Sequence, residues 1–527
     1  MPRPALAFTF LVALLGAAIG RGQTTGPTGA SPDRLFAEDE VPRIVLTIPP
    51  EGLAQLRAQP REWVLCEIGE PGKPPLKSCH VKLKGSAGSF RPIDDPRPGF
   101  SLRTDRVIKR QELRGLGKFQ LNNCAQDGTM LLETLAGDIA RRAGVPASRC
   151  THAHVTLNGR ALGIYVLKEG FNREFLSRFF KDTRGHLYDG GFVSEINPGM
   201  ELDRGPKENP APLAELIAAC REPDLAARAR RLEAILDIDA YLRHLALESV
   251  FCHWDGYSFN RNNYRIYHDP SAGKFHFILH GMDQVFGDPR WYVFRRPSGL
   301  VGDAVWSLPG IQERYRQRFM ELNARVLRAN DWAREAERLA KSLQIRVKTA
   351  SPGDAEQFPG RGQHAGNLIR NRLEQVNAQL EDAARLGRPG GSINLAKYAW
   401  APSNGDKGNV NQSEEGGRPS LRIAANVDNG GDHRLALMLA PGRYRLSGMA
   451  QARDVKVAAG KGAGLRFRVS GEAEGAKVAV LAGTTSWRSL THEFATTGPE
   501  TTLLVELRAE SGEAFVELKS LTLTRLP

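Results

Sequence analysis

A break in composition near residue 387 divides the chain into two parts that must fold differently. The run Leu386-Gly387-Arg388-Pro389-Gly390-Gly391-Ser392 is rich in Gly and Pro, as linkers are. Before it, apolar residues recur first at strand spacing and then at helix spacing, whereas after it hardly a helical stretch occurs. The sequence therefore predicts an α+β region over residues 41–386, a linker over 387–392 and an all-β domain over 393–527.

The first residues predict export. Arg3 precedes an apolar run over residues 5–19 that ends among small residues, which is the pattern of a secretory signal peptide. We expect a signal peptide over 1–23, a flexible leader over 24–40, and a secreted, periplasmic or cell-surface location. The run is short for a membrane span, and no later stretch of about 18 apolar residues replaces it, so no membrane span is expected.

Charge and cysteine content restrict the partners only broadly. The formal net charge is +13, but the basic residues are scattered and form no block interleaved with aromatic residues, so we expect anionic surroundings and no nucleic acid. An even count of 6 cysteines permits disulfides in an exported chain. Cys66 and Cys79 flank a Gly/Pro-rich turn and are candidates to bridge a hairpin, whereas buried free thiols are the alternative for Cys220 and Cys252.

Local patterns divide the α+β region further. Short apolar runs separated by Pro and Gly predict strands over residues 41–170, with Asp127 capping a helix over 129–143. Asn158-Gly159 suits a type I′ turn between two strands. Helical spacing prevails from residue 170 to 386. After residue 393, strand-like runs alternate with Gly-rich turns, which predicts a β-sandwich.

Acids and amides gather in residues 253–287. Folding the expected hairpin of strands 264–267 and 275–279 would bring Asn260, Asn262 and Asn263 close to Asp283. Such oxygen ligands suit a hard cation such as Mg²⁺ carrying phosphates. Upstream, the loop after Lys84 is rich in Gly and Ser and flexible enough to lie over a phosphate. Turns and helix caps are the alternative for both features, because Asp, Asn and Gly are common there.

Several ordered motifs together resemble one family. The motifs are LKGS at 83–86 with GSF at 88–90, FQLNN at 119–123, LNG at 157–159 with GIYVLKE at 163–169, WDGY at 254–257, NNY at 262–264 and MDQVFG at 282–287. In this order, over roughly residues 41–385, they are similar to the CotH kinase family, the spore coat protein H-like atypical kinases. The resemblance implies a two-lobed, protein-kinase-like fold that binds ATP with Mg²⁺ and phosphorylates Ser or Thr of secreted or coat proteins.

The resemblance also implies residue roles. Asp255 matches the family's catalytic-loop acid, close to the substrate hydroxyl or a metal, and Asp283 matches the acid that holds magnesium against the phosphates. Asn263 matches the family's metal-binding amide, and Asn260 is a second candidate because it lies five residues after Asp255, as in ordinary kinases. Glu169 matches the acid that ends a hairpin strand, a candidate partner for a phosphate-binding cation.

The cations that contact phosphates are less well defined. Arg97 stands where the family usually has a lysine, and Lys84, Arg103 and Lys118 are candidate substitutes.

The chain departs from the family at two further positions. Gly281 replaces the first acid of an Asp-x-Asp motif, and Leu132 replaces an arginine early in a helix. A nucleotide-binding pseudokinase is therefore the alternative to an active kinase.

The C-terminal region resembles galactose-binding-like and carbohydrate-binding modules. Trp400 and Trp487 are candidates to stack on sugar rings, with packing as the alternative role for each. A third hypothesis follows, in which the chain acts at a cell surface mainly by binding glycans through residues 393–527.

Overall fold

The computed structural model describes residues 35–36, 40–207, 210–402, 410–425, 430–457, 464–472 and 478–527. The expected signal peptide over 1–23 lies outside these residues, as does most of the expected leader over 24–40. Within that leader, Leu35 is 2% exposed and packs among the apolar side chains of the first lobe. This part of the leader is therefore docked on the fold.

Seven strands close into a barrel that forms the first lobe. The elements of this lobe are β1 Arg43–Thr47, α1 Pro50–Ala58, β2 Val64–Gly69, β3 Leu76–Lys84, β4 Gly99–Arg103, β5 Lys118–Asn122, α2 Leu132–Arg142, β6 Cys150–Leu157 and β7 Arg160–Glu169. The strands pair in the order β1-β2-β3-β4-β5-β7-β6, and the parallel pair of β6 with β1 closes the barrel. Alternate side chains of each strand fill its interior, as Val81 and Leu83 do on β3.

The turn expected between the last two barrel strands is confirmed. Asn158 and Gly159 join β6 to β7 with φ angles of 46° and 81°, the left-handed pair that a type I′ turn requires. The pattern predicts Asp127 as the cap of this helix, but the N-cap residue is Leu131, which makes no side-chain cap hydrogen bond. Asp127 lies further upstream, and its Oδ2 accepts from the backbone N–H of Leu132, the first residue of α2, at 3.0 Å. The helix therefore starts three residues later than the pattern predicted.

The hairpin of β2 and β3 places Cys66 directly opposite Cys79. Both thiols are buried and free in the structure. Burial raises the pKa of the Cys79 thiol to about 11. The two cysteines therefore face each other in one hairpin, as expected, but no disulfide joins them.

The second lobe is mainly helical and carries one small sheet. Its elements are α3 Arg173–Ser177, β8 His186–Asp189, β9 Glu201–Arg204, α4 Ala211–Arg221, α5 Leu225–Ile235, α6 Ile238–Phe251, α7 Tyr257–Asn260, β10 Tyr264–Asp269, β11 Lys274–Leu279, α8 Leu300–Trp306, α9 Ile311–Leu322, α10 Trp332–Val347 and α11 Pro352–Leu386. The sheet order is β11-β10-β8-β9. The expected hairpin is confirmed as β10 and β11, and it lies at one edge of this sheet.

Helix α11 is much longer than the sequence pattern indicated. It begins at Pro352 and continues through Pro359, whereas helical spacing predicted only residues 366–385. Its glycines permit close packing on α10, since a Cβ at Gly362 would collide with Ala340 and one at Gly366 would lie 3.0 Å from the carbonyl of Ala333. Tertiary contact therefore outweighs the low helix propensity of Gly and Pro here.

Two sheets form the C-terminal sandwich. Its strands are β12 Ser392–Asn394, β13 Ala401–Pro402, β14 Val410–Glu415, β15 Arg418–Ala425, β16 Gly431–Met438, β17 Gly442–Lys456, β18 Leu465–Val469, β19 Arg488–Thr496, β20 Glu500–Leu507, β21 Ser511–Glu517 and β22 Thr522–Arg525. One sheet has the order β12-β22-β17-β21-β15-β14, with β19 also on β17, and the other has the order β13-β16-β20-β18. The predicted architecture, an α+β two-lobed domain followed by an all-β sandwich, is confirmed.

The sandwich is fastened to the helical lobe. The backbone N–H of Met438 donates to the Tyr292 hydroxyl at 3.0 Å, and Arg296 forms an ion pair with Glu500 at 3.0 Å. In the expected linker, Gly390 donates to the carbonyl of Arg525 at 2.8 Å, which ties the linker to the last strand. Within the described ranges, no helix has the length and apolar character needed to cross a bilayer.

Candidate functional site

A cavity of about 310 Å³ opens where the barrel meets the helical lobe. The barrel contributes the end of β3, the end of β7 and helix α2, while the helical lobe contributes the segments around α7 and after β11. The chemically active side chains that line it are Lys84, Glu133, Lys168, Asp255, Asn260, Asn263, His280 and Asp283. Charged groups of both signs therefore converge on one enclosed space.

A buried ion pair stands at the back of this cavity. The Lys168 ammonium, on β7, donates to the Glu133 carboxylate, on α2. Asn122 Nδ2 donates to the other carboxylate oxygen at 3.0 Å. Burial opposes ionisation of Glu133, but the charges of Lys168 and Lys84 and these hydrogen bonds hold its pKa below the ordinary value. Glu133 is therefore ionised at neutral pH.

His280 is the third member of this group. Lys168 Nζ donates to His280 Nδ1 at 3.0 Å. Burial and the neighbouring Lys168 charge lower the pKa of His280 well below its usual range, so the imidazole is neutral and accepts this hydrogen bond. Lys168 is thus positioned from two sides, by a carboxylate and by an imidazole.

Lys84 differs from Lys168 in having no fixed partner. Its ammonium makes no hydrogen bond or ion pair with any residue that the structure describes. Burial lowers its pKa, although the charges of Glu133 and Asp283 act in the opposite direction. A cation in an enclosed space without its own acceptor is a ready contact for an anionic group.

The loop after Lys84 is shaped by two glycines. Gly85 has a φ of 101° and Gly88 a φ of 82°, both in the left-handed region. A Cβ at Gly85 would lie 2.8 Å from the backbone nitrogen of Phe90, so only glycine allows this fold of the loop. Ser89 Oγ accepts from the backbone N–H of Ser86 at 3.1 Å, which closes the loop over the cavity wall.

Asp255 lies at the centre of a ring of amides. Its carboxylate accepts from the Nδ2 atoms of Asn260 at 2.6 Å, Asn262 at 3.0 Å and Asn263 at 2.8 Å. A carboxylate has about four lone-pair sites, so three donors leave one for a further partner such as a substrate hydroxyl. The structure thus places Asn260 and Asn263, which the sequence predicted close to Asp283, on the carboxylate of Asp255.

Asp283 is the cavity's free carboxylate. It makes no side-chain hydrogen bond or ion pair with another described residue. Burial, with the nearby Glu133 charge, raises its pKa above the ordinary value for an aspartate. A carboxylate in this condition gains from a bound cation, which would restore its ionised form.

The structure explains why position 281 is glycine. Gly281 has a φ of 61°, and a Cβ there would lie 2.5 Å from both Cγ and Oδ1 of Asn263. The Asn263 amide therefore occupies the space that a side chain at 281 would need.

Four of the residues named from the sequence do not line the cavity. The Glu169 carboxylate is bound instead by Arg149, at 3.1 Å, and by Arg178. The Arg97 guanidinium donates to the carbonyl of Ile164 and lies over the Tyr165 ring. Arg103 pairs with Asp105 at 3.2 Å. These three side chains therefore do not point to the cavity as expected, because each is already bound by other groups of the protein. Lys118, named as a substitute, is likewise paired with Asp203 at 2.7 Å.

Sequence reasoning missed Glu133 and Lys168. A signal was present, because Lys168 shares a strand face with Ile164 and Val166, which pack in the core around α2. A lysine on such a face needs a buried acid, and Glu133 on the apolar helix α2 is that acid.

A second cavity of about 610 Å³ adjoins the first. Asp283, Gln284 and Trp254 border both cavities, and Trp254 is 46% exposed. The two cavities therefore meet at these three residues.

Arg372 of α11 fastens the two segments that carry the acids. Its fully buried guanidinium donates to the carbonyls of Ser249 and Val250, at the end of α6, at 2.7 and 2.9 Å. It also donates to the carbonyls of Pro289 and Trp291 at 2.8 Å each. From the cavity side, His253 Nε2 donates to the carbonyl of His280 at 3.0 Å, so the two segments are joined twice.

Comparison with known proteins gives one family. The model of the family described as CotH kinase protein matches residues 83–360, more than half of the chain. Among curated relatives, Invasin CotH2 of Rhizopus delemar is 25% identical over 189 residues, which cover 32% of this chain and 32% of the relative. Spore coat protein homolog 1 of the same organism is 24% identical over 183 residues, covering 32% and 30%. The chain spans about a third of the length of these relatives.

Solved structures with similarity fall on both parts of the chain. The Helicobacter pylori proinflammatory kinase CtkA aligns over 58% of this chain and 98% of its own, at 9% identity and a TM-score of 0.29. The CBM22-1 xylan-binding domain of Paenibacillus barcinonensis Xyn10C aligns over 26% of this chain and 97% of its own, at 18% identity and a TM-score of 0.20.

Proposed function

The chain belongs to the CotH kinase family, and from this membership and the cavity between its lobes we propose an exported atypical kinase. It binds ATP with Mg²⁺ and transfers phosphate to Ser or Thr hydroxyls of secreted or surface proteins. Export rests on the apolar run near the N-terminus and agrees with relatives named as invasins and a spore coat homologue. Bound nucleotide and metal would supply the phosphoryl group and the positive charge that offsets its oxygens.

The observation that carries the proposal is the unpaired Lys84 ammonium beside the unpaired Asp283 carboxylate. Both groups face the same cavity and lack side-chain partners among the described residues, so each is available to a ligand. An anion on Lys84 and a cation on Asp283 are the two components of a metal nucleotide. The Gly85 loop and the Lys168–Glu133 pair flank the same space.

Each remaining residue has a role in this proposal. Lys168, oriented by Glu133 and His280, holds phosphate oxygens as a fixed charge. Asp255 orients the acceptor hydroxyl through its fourth lone pair, and Asn263 offers an amide oxygen toward the metal. Phosphoryl transfer depends mainly on such positioning and charge neutralisation, so no covalent participation of the protein is required.

A γ-labelled ATP assay on the full chain tests the proposal. Transfer to the chain itself or to secreted proteins is expected for the wild type and should be lost in Lys84→Met. The matched control is Lys82→Met, which removes a lysine from the same strand that lies over Trp63, 5.0 Å from the ring centroid. Equal labelling by both variants would refute the role of Lys84.

A nucleotide-binding pseudokinase is the second candidate. It is favoured by the state of Asp255, whose carboxylate already accepts from three amides. Raised melting temperature with ATP and Mg²⁺, together with no transfer to any acceptor, would select this candidate.

Glycans are the proposed partners of the C-terminal sandwich. Trp400 is 5% exposed and its indole N–H donates to Leu395, so it packs inside the sandwich. Trp487 is partly exposed, but Arg418 lies over its ring at 5.3 Å. The two tryptophans named from sequence therefore offer little open ring surface, and the glycan contact must be sought elsewhere.

A further inference from the structure

Three exposed apolar side chains gather at the cavity that holds Asp255. Phe192 is 60% exposed, Val193 41% and Trp254 46%, and all three line this cavity. Among the residues that the structure describes, no other aromatic side chain is exposed to this extent. Apolar surface that collects in one place on a folded protein marks an interaction site.

The first two of these side chains belong to a loop whose backbone is fixed at both ends. We call residues 190–194, between β8 and β9, the Phe192 loop. The N–H of Gly190 donates to the carbonyl of Tyr264 at 3.2 Å, and the Tyr264 hydroxyl donates to the carbonyl of Ser194 at 2.9 Å. A Cβ at Gly190 would lie 2.4 Å from the Tyr264 ring, so the loop packs closely on β10. The backbone is thus held in place while its apolar side chains stay in solvent.

Val193 ties this loop to Asp255. Its N–H donates to Asn262 Oδ1 at 3.2 Å, and Asn262 Nδ2 donates to Asp255 Oδ2 at 3.0 Å. One side-chain amide therefore separates the loop from the carboxylate that orients the acceptor hydroxyl in the proposed reaction. Val193 also has a φ of 47°, which a β-branched residue rarely adopts. Backbone strain of this kind persists where surrounding contacts hold it, and it is frequent at ligand sites.

We propose that the Phe192 loop and Trp254 select the protein substrate by binding a large apolar side chain next to the phosphorylated Ser or Thr. The inference rests on the proposed kinase activity and adds the class of acceptor. Consecutive Cα atoms of a peptide are about 3.8 Å apart, so an acceptor with its hydroxyl on Asp255 brings its flanking side chains to this surface. Burial of the exposed rings against an apolar side chain supplies the binding free energy.

The position of the surface favours a peptide over the nucleobase as its ligand. The cations proposed for phosphate, Lys84 and Lys168, come from the barrel. The Phe192 loop and Trp254 belong to the helical lobe, the first tied to Asp255 through an amide and the second its neighbour in sequence. The apolar surface therefore lies on the acceptor side of the cavity.

Labelling of synthetic peptides by the full chain, with γ-labelled ATP and Mg²⁺, tests the inference. The peptide Gly-Ala-Phe-Ser-Phe-Ala-Gly is compared with versions that carry Ala, Lys or Glu in place of both Phe residues. We expect kcat/KM for the Phe peptide to be at least roughly 10-fold higher than for the other three, the factor that a single apolar contact supplies. Equal values for the Phe and Ala peptides, or a preference for the Lys or Glu peptide, would overturn the inference while leaving the kinase activity in place.

Two variants assign the contact. Phe192→Ser should abolish most of the preference for the Phe peptide and leave the rise in melting temperature caused by ATP with Mg²⁺ unchanged. Ile345→Ser is the matched control and should behave as the wild type does, because Ile345 is 68% exposed on α10 and does not line the cavity. A smaller ATP-induced rise in Phe192→Ser than in Ile345→Ser would assign the ring to the nucleobase and overturn the inference.

A binding measurement decides the inference if the wild type labels no peptide. Calorimetry then uses the same peptides in the presence of ADP and Mg²⁺. Tighter binding of the Phe peptide by the wild type than by Phe192→Ser would support the apolar surface, and equal binding would overturn it. Absence of self-labelling as well would refute the proposed phosphate transfer, independently of where the peptide binds.

Discussion

Lys168 and Glu133 form an ion pair in which the two side chains are only 2% and 3% exposed. They come from β7 and α2, which are separated in sequence but adjacent behind the cavity. Removing one partner leaves the other charge buried, whereas removing both leaves only a small polar gap. This asymmetry separates the stabilising role of the pair from its role in binding.

The first prediction concerns this pair. Lys168→Met should lower the free energy of unfolding by roughly 3–5 kcal/mol, because Glu133 is left buried without its main counter-charge. The double variant Lys168→Met with Glu133→Gln should regain most of that loss in urea denaturation. It should not regain the rise in melting temperature caused by ATP with Mg²⁺. Recovery of that rise in the double variant would show that Lys168 does not contact the nucleotide.

The second prediction is a pH dependence of magnesium binding. Burial and the charge of Glu133 raise the pKa of Asp283, so its carboxylate takes up a proton at a higher pH than a free aspartate does. Magnesium competes with that proton, and its affinity should fall about tenfold for each pH unit below this pKa. Magnesium titrations of melting temperature in the presence of ATP, from neutral to acidic pH, measure the effect.

Variants assign this pH dependence to Asp283. Asp283→Asn should bind magnesium weakly and with little pH dependence. Asp288→Asn removes a carboxylate of the same segment, which lies 4.0 Å from Arg290, and should keep the wild-type profile. A wild-type profile in Asp283→Asn would place the metal elsewhere.

The third prediction addresses the acid that the family has at position 281. Gly281→Asp should lower stability by roughly 1–3 kcal/mol and should not increase phosphate transfer. The reason is the positive φ of Gly281 and the place of Asn263, whose side chain a Cβ would meet at 2.5 Å. Gly287→Asp is the matched control, since nothing lies within 4 Å of a Cβ there. Increased labelling by Gly281→Asp would contradict this account.

The fourth prediction is acid sensitivity through His152. Burial lowers the pKa of His152 to about 4, and its Nε2–H donates to the carbonyl of Met130 at 2.8 Å. The unfolded chain binds a proton near pH 6.5 and the folded chain only near pH 4, so stability should fall as the pH drops through this window, by at most about 3 kcal/mol. His152→Phe, beside Phe358, should flatten the decrease in melting temperature between pH 7 and pH 5. An unchanged slope would exclude His152 as its source.

Much of the fold follows from local patterns. The Asn158-Gly159 turn and most strands of the barrel and sandwich are determined by neighbouring residues. The closure of the barrel is different, because the parallel pair of β1 and β6 joins segments more than 100 residues apart. Helix α11 also exceeds its local signal, since its glycine-rich first half gains its stability from packing on α10.

The site was predictable where several polar residues cluster in sequence. Asp255, Asn260, Asn263 and Asp283 line the cavity together, as that clustering indicated. The motif led to Glu169 as a site residue, but its neighbour Lys168 is the residue that lines the cavity. Successive residues of a strand face opposite sides, so an error of one position moves a side chain to the other face. Which face of β7 meets α2 depends on tertiary packing, which the sequence pattern alone did not show.

The hydrogen bonds of Arg372 determine where the chain can be truncated. The matched family segment ends at residue 360, whereas the guanidinium that binds the carbonyls of Ser249, Val250, Pro289 and Trp291 belongs to residue 372. A chain truncated at the family boundary would leave these carbonyls without their donor. The segments that carry Asp255 and Asp283 would then lose the hydrogen bonds through Arg372 that join them. The segment that defines the family is therefore shorter than the segment that must be expressed to obtain a working site.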